Sequence, residues 1–338
     1  MDHKIKKILT IIIPSYNTEC YINECLPYFL DKQILNDIEI IIIDDGSKDN
    51  TALEAKKYIE KYPDTVRLVR KENGGHGSVI NRGIKEANGK YFKVVDGDDW
   101  VITDNFVSFV LKLKQLEVDL IINPFVEYNI EKKVSKIISY PSGYYGEIKE
   151  IDKILNTLDQ TLQLHAVTYR TSLLKSKQIV FQENCYYEDI EYVLYPLPYI
   201  STVIVYKEPI YMYRVGTQTQ SMNIKNRIKN VEMMCIILTN IIHFYQAVYM
   251  EVSLIKKEYM VKFILGIVKD YFWICLHMPL GKEAKERICY INLKLKKEAN
   301  EIYKKMARVP GMSLLKINTW GSYWLAHTLL KAKRRCMG

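Results

Sequence analysis

The sequence predicts an α/β protein: a doubly wound, mainly parallel sheet flanked by helices, continued by an α-helical C-terminal region. Three observations carry this. The runs ILTIII (8–13) and IEIIII (38–43) are continuously apolar and rich in β-branched residues, as strands covered on both faces are. Each such run is followed by turn residues and then by helical spacing, the rhythm that parallel connections require. Beyond residue 222, the long apolar patterns have a period near 3.6.

The first strand, 8–13, ends at Pro14-Ser15-Tyr16-Asn17. A helix is expected over 19–35, where Tyr21, Cys25, Leu26, Phe29 and Leu30 recur at helical spacing. The second strand, 38–43, runs into DDGSKDNT at 44–51. A helix from about Thr51 to Tyr62 follows, with Ser47 or Asp49 placed to cap it. TVRLVR (65–70) is the third strand, and ENGGHGSVINRG leads into a helix over roughly 77–88. KYFKVVDGDDW supplies the fourth strand, which ends in Asp96, Gly97, Asp98 and Asp99. Ligands of open parallel sheets bind at the carboxyl ends of the strands. The ends at 14–17, 44–49 and 96–99 all carry concentrated polar chemistry. Further on, residues from Val231 to Tyr249 and from Val261 to Cys275 mark long helices packed on each other. Leu314, Ile317, Trp324, Leu325 and Thr328 mark a final amphipathic face beside Trp320, ahead of KAKRR at 331–335. Apolar and Trp residues next to a basic cluster suit a membrane-surface anchor; a terminal core helix with a solvated tail is the plainer reading.

With 338 residues, 48% hydrophobic and 26% charged, the chain is globular and long enough for one large domain or two. Its net charge of +9 is uneven: from Ser221 onward 21 Lys and Arg face 8 Asp and Glu, so the first 220 residues are net acidic. A basic region can meet anionic lipid, an acidic substrate or nucleic acid; no nucleic-acid fold signature is present, so nucleic acid is not expected. The seven cysteines form no Cys-x-x-Cys pair, against a disulfide framework or a zinc ribbon and for thiols in a reducing cytosol. The N-terminal apolar run is short and stopped by Pro14, which favours a strand over a signal peptide. No stretch of about 18 residues lacks charge and strong polarity, so no membrane span is expected.

The most informative stretch is VVDGDDW at 94–100. Three carboxylates this close repel unless a cation sits among them. An Asp-x-Asp pair at a strand end offers oxygens to Mg²⁺ or Mn²⁺ and leaves positions for substrate phosphates. A plain polar turn is the alternative. The dinucleotide fingerprint is absent after the first strand and no Walker pattern occurs, which argues against a dehydrogenase and a P-loop nucleotidase.

Five blocks in order, IIIPSYN (11–17), IIIDDGSKDNT (41–51), NGGHGSVINRGIKEANGKYF (73–92), VVDGDDW (94–100) and YYEDIEYVLYPLPY (186–199), resemble family 2 glycosyltransferases over about residues 5–220. The resemblance implies a GT-A fold and an inverting transfer from a nucleotide-diphosphate sugar. It places Tyr16 near the nucleotide base, with Pro14 among the nucleotide-sugar contacts, and gives Asp45 a base N–H to accept, as in uracil recognition. Asn73 and Gly75, with Gly74 and Gly77, would turn backbone amides toward phosphate. Arg82 would meet the diphosphate, although Asn81-Arg82 reverses the family's Arg-Asn order. Asp96 and Gly97 would lie at the ribose or metal, Asp98 would ligate the metal directly, and Asp99 would support it or cap a helix. Asp189 resembles the base that deprotonates the acceptor hydroxyl; an acidic first helical turn is the competing reading. Glu188, His165 and Arg214 are candidate acceptor contacts, with Gln220 and Ser221 beside them, and His76 is either a pocket residue or a loop histidine. The expected organisation is a catalytic domain over 1–222 and a basic helical region over 223–338. The expected enzyme uses Mn²⁺ or Mg²⁺ and a UDP-sugar, acts on a lipid-linked or polysaccharide acceptor, and is cytoplasmic with peripheral contact at the inner face of the membrane. A sugar nucleotidyltransferase and a non-catalytic nucleotide-sugar-binding protein are the alternatives.

Overall fold

The computed structural model describes residues 7–216, 223–306, 308–309, 312–316 and 321–328. The chain divides into two compact units, Met1–Thr217 and Gln218–Gly338.

The first unit is built on strands β1 (Leu9–Ser15), β2 (Ile38–Asp44), β3 (Val66–Arg70) and β4 (Tyr91–Val94). They run parallel in the order β3-β2-β1-β4. Every residue of β1 and β2 is buried, which is why these strands read as unbroken apolar runs. Their register sets Ser15 opposite Asp44 and Ile12 opposite Val94, so the polar ends of β1, β2 and β4 come out at one edge. Next come β5 (Trp100–Val101), β6 (Leu120–Ile122), β7 (Phe125–Asn129), β8 (Val134–Ile138), β9 (Lys149–Glu150), β10 (Val167–Arg170), β11 (Thr202–Val205) and β12 (Tyr211–Val215). The main sheet continues from β4 through β10, β6, β11 and β9 to eight strands, with β10 antiparallel to both its neighbours. The expected parallel sheet is thus the first half of a mixed one. A second sheet, β5-β12-β7-β8, was not anticipated from sequence. Its outer strand is mostly exposed and lacks the apolar signal of β1.

The helices of this unit are α1 (Glu19–Cys25), α2 (Thr51–Lys61), α3 (Gly75–Glu86), α4 (Thr103–Leu113), α5 (Ile151–Leu155), α6 (Thr171–Ser176) and α7 (Asp189–Leu194). The single helix expected over 19–35 is cut short. Pro27 lacks an N–H and sits in a 3-10 turn, Leu26–Phe29, that ends the α-helical bonding. The helix expected at 77–88 begins at Gly75 and packs on β1 and β2.

The second unit holds α8 (Ile224–Lys229), α9 (Val231–Val248), α10 (Leu254–His277), α11 (Lys282–Glu298), α12 (Asn300–Met306) and α13 (Met312–Lys316), with a further helical stretch at 321–328. Contrary to the expectation of no candidate span, α9 is long and apolar enough to cross a membrane by length and composition, with mean hydropathy 1.4. Half of it is buried, with Met234, Leu238, Ile241 and Tyr245 inside and α10 and α11 packed on it. Of the final amphipathic face, Ile317, Trp320 and 331–335 lie outside the described residues. Trp324 and Leu325 are exposed, while Tyr323, Ala326 and His327 are buried.

Candidate active site

The candidate site is assembled where β1, β2 and β4 end. At β4, the Asp99 N–H donates to the Asp96 carbonyl at 3.0 Å, closing a tight turn. Gly97 in that turn lies so close to β1 that an added Cβ would sit 2.5 Å from the Pro14 carbonyl oxygen. This is how Pro14 and Gly97 are joined, and why the position takes no side chain. The turn brings residue 99 back beside residue 96. Ligand atoms of Asp96, Asp99 and His165 therefore lie within 4.8 Å of one another. Asp98, expected as the direct metal ligand, is not in that group. Its backbone carbonyl accepts from Arg214 Nε at 2.7 Å, and burial and the Asp96 charge raise its pKa.

Asp99 is buried and accepts from Tyr211 Oη at 2.6 Å and from the Arg214 N–H at 2.7 Å. Burial, then the charges of Asp96 and Asp98, hold its carboxyl well above the ordinary range. His165, just before β10, stacks on Tyr213 at 4.2 Å, with Phe125 and Tyr211 on other sides. Its Nδ1 is buried and has no hydrogen-bond partner among the described residues. Burial lowers its pKa to about 4, so the ring is a neutral nitrogen donor. Lys93, fully buried on β4, donates to the His165 and Val167 carbonyls and fixes the approach to β10.

At the β2 end, Asp45 is buried and already engaged. It accepts from Lys71 Nζ at 2.6 Å and from the Gly74 and Gly75 amides at 3.0 and 2.8 Å. Asn73 Nδ2 donates to the Asp45 carbonyl at 2.9 Å. Asp45 thus organises the NGG turn at the start of α3, a role its position alone did not reveal. Asp44 is spent on Arg70 and on the Ser47 N–H. Tyr16 is exposed at the edge of β1.

His76, on the first turn of α3, touches two carboxylates. Nε2 is 2.9 Å from Asp96 and Nδ1 is 2.5 Å from Glu188. Burial alone would lower its pKa, but Glu188 and Asp96 outweigh that and hold it well above the usual histidine value. Burial likewise opposes ionisation of Asp96, yet the His76 contact lowers its pKa overall. Glu188 immediately precedes α7, and Tyr187 before it has a left-handed φ of 74°. Asp189 opens the helix and is exposed. Desolvation by the surrounding protein, then the Glu188 charge, pushes its pKa up to about 7, against an opposing pull from His76.

Arg82 is not brought to the cluster. It pairs with Glu86 one turn further along α3, and Arg67 of β3 bonds the same carboxylate. Arg214 reaches the acidic turn through its N–H on Asp99 and its Nε on the Asp98 carbonyl, while its guanidinium also lies 5.1 and 5.0 Å from the Tyr21 and Trp100 rings and bonds Glu24. It braces the acidic turn. Gln220 and Ser221 lie outside the described residues.

A mixed sheet with an acidic turn closing its fourth strand, backed by a small second sheet, defines a GT-A glycosyltransferase fold. Residues 10–176 match the model for glycosyl transferase family 2. The uncharacterized glycosyltransferase MG025 of Mycoplasma genitalium is 30% identical over 223 residues, covering 63% of this chain and 71% of MG025. The chain belongs to glycosyltransferase family 2. It is also 30% identical over 220 residues to the uncharacterized glycosyltransferase EpsJ of Bacillus subtilis, spanning 61% of each chain. Similarity to the minor teichoic acid biosynthesis protein GgaB of Bacillus subtilis is 30% over 216 residues, 61% of this chain but 23% of GgaB. The chain therefore spans less than two thirds of these two relatives. Among solved structures, S. aureus TarS 1–349 in complex with UDP-GlcNAc aligns with a TM-score of 0.69 over 96% of this chain and 92% of that one. At 18% identity this likeness shows the fold alone.

Proposed function

We propose that this glycosyltransferase moves a sugar from a UDP-sugar to an acceptor hydroxyl with inversion at the anomeric carbon, in cell-surface polysaccharide or glycolipid synthesis. The carrying observation is that His76 spans Asp96 and Glu188, which sets the carboxylate of Asp189 one residue from a group tied to the acidic turn. Asp189 takes the acceptor hydroxyl proton, the hydroxyl oxygen bonds to the anomeric carbon, and the bond from that carbon to the diphosphate oxygen breaks. A pKa near neutrality suits a base that must be ionised and still hold a proton. Asp45 has oxygen capacity beyond its three internal donors, and that remainder would accept a uracil N–H. TarS 1–349 has been solved with UDP-GlcNAc and with UDP, which supports the UDP reading.

Asp96, Asp99 and His165 fit a divalent cation, because two carboxylates and one nitrogen of a neutral imidazole converge, on a ring that has a buried Nδ1 without a hydrogen-bond partner among the described residues. A nitrogen donor favours Mn²⁺ over Mg²⁺. When bound, the ion would neutralise charge on the departing diphosphate. A structural neighbour, the mannosyltransferase PcManGT, was solved with GDP-Man and Mn²⁺. The relationship to GgaB supports a cell-envelope acceptor, lipid-linked or polymeric. The exposed Trp324 and Leu325, followed by KAKRR, support peripheral contact with the inner face of the membrane.

Thermal-shift screening of UDP- and GDP-sugars with and without Mn²⁺ tests the donor; ligand at a hundred times Kd should add about 2.7 kcal/mol of stability. Donor alone should slowly release nucleoside diphosphate. Asp189→Asn should bind UDP normally and stop that release. Release at the wild-type rate would remove Asp189 as the base.

A further inference from the structure

We propose that His76 is a positioning residue that couples the acidic turn after β4 to the segment presenting Asp189, with Glu188 as its handle. The proposal rests on the reading of Asp189 as the base. Three observations on separate elements converge. Both imidazole nitrogens face carboxylate oxygens, Asp96 on one side and Glu188 on the other, across sequence separations of 20 and 112 residues. An imidazole is flat and short, so satisfying both nitrogens fixes the distance between those two carboxylates.

The segment that His76 holds is otherwise expensive to hold. Asn184 and Tyr187 both have left-handed φ values, 54° and 74°. Asparagine tolerates this region, but a bulky tyrosine persists there only where the surroundings impose it. The Asn184 N–H donates to the Gly74 carbonyl at 2.6 Å, and Gln182 packs so tightly on Gly77 that no Cβ fits between them. The start of α3 is therefore the template for residues 182–188, and His76 is its side-chain contact with Glu188.

Glu188 is buried, whereas Asp189 is exposed. The buried carboxylate anchors, and its neighbour is left to act on substrate. Glu188 need not be charged for this; it needs an oxygen that accepts from His76. A substrate-contacting carboxylate would fail when its charge is removed. An anchoring one would fail only when its acceptor oxygen is removed, and this difference decides between the two roles.

The test compares Glu188→Ala, Glu188→Gln, His76→Ala and Asp189→Asn in the full chain. Two readouts are used: UDP-GlcNAc hydrolysis with Mn²⁺, and amide hydrogen exchange over residues 183–194. Glu188→Ala and His76→Ala should accelerate exchange in this segment at least ~10-fold, since a local contact that holds a strained turn is lost. Glu188→Gln should restore exchange to within ~3-fold of wild type. Hydrolysis should follow the same pattern: kcat falls at least ~10-fold in Glu188→Ala and recovers in Glu188→Gln, with KM within ~3-fold, because binding is spared and presentation of the base is not. Equal losses in Glu188→Ala and Glu188→Gln would overturn the proposal in favour of a charge-dependent role. Unchanged exchange in both alanine variants would overturn it outright. If Asp189→Asn hydrolyses at the wild-type rate, the base assignment fails instead, and the exchange data still decide whether His76 holds the segment.

Discussion

Replacing Asp45 by Ala tests the organisation of the site most directly. The Asp45 side chain is 4% exposed and accepts from an ammonium and two backbone amides. Removing one partner of a buried ion pair costs about 3–5 kcal/mol, and an orphaned buried amide about 1–3 kcal/mol. These do not simply add. Lys71 is 20% exposed and keeps the Ser78 hydroxyl and Glu72 carbonyl, so it rehydrates in part. A net loss of about 3 kcal/mol is expected, or about 10 °C in the melting temperature of a unit this size. Calorimetry of the transition that UDP shifts is the assay. Asp45→Asn keeps an acceptor oxygen and should lose about half as much. The Lys71→Met change should cost little once Asp45 is gone, the non-additivity of a coupled pair. A loss under about 1 kcal/mol for Asp45→Ala, near the average for any substitution, would refute the claim that this carboxylate builds the start of α3.

The remaining predictions follow from single contacts. With Asp189 raised to about 7 and active as the carboxylate, turnover should climb about tenfold per pH unit on the acid side and level off above neutrality; a flat profile from about pH 5 to about pH 8 would contradict it. His165→Ala should weaken Mn²⁺ binding about 10-fold or more in calorimetry while changing Mg²⁺ binding less, and equal effects on both ions would show that the nitrogen is not a ligand. Gly77→Ala places a Cβ 2.1 Å from the Gln182 carbonyl oxygen, so α3 or the 182 segment must shift. It should cost about 1–3 kcal/mol in thermal unfolding, and a neutral result would mean the two elements are not packed as described.

The parallel half of the fold was legible because β1 and β2 are covered on both faces and their composition shows it. The polar strand ends were legible because such residues have no packing reason to gather there. What sequence did not reveal depends on geometry at longer range. Asp99, rather than Asp98, joins Asp96 because of a hydrogen bond across a turn, which spacing alone does not distinguish. His76 has its partner 112 residues away. Arg82 carried the right charge, but Glu86 one turn further along α3 claimed it; Arg214 meets the acidic turn through its N–H and Nε, contacts that lie 115 and 116 residues apart in sequence. The helix over 19–35 was overextended because its apolar spacing outvoted Pro27. The second sheet went unread because β12 is largely half-buried and β8 mostly exposed, neither alternating cleanly.

That second sheet has a consequence for how the protein can vary. Strand β12 lies inside it, and its Tyr211 and Arg214 brace Asp99; β8 lies at the rim, two strands from β12, with Val134 and Ile137 facing solvent. Among the described residues, the side-chain bonds to Asp96 and Asp99 come from β12 and His76, and Lys136 keeps this open edge charged, which discourages pairing with a neighbouring chain. Mutational drift can accumulate on that rim without disturbing the carboxylates, which makes the 130–138 hairpin the place where a lineage can change its outer surface and keep its chemistry.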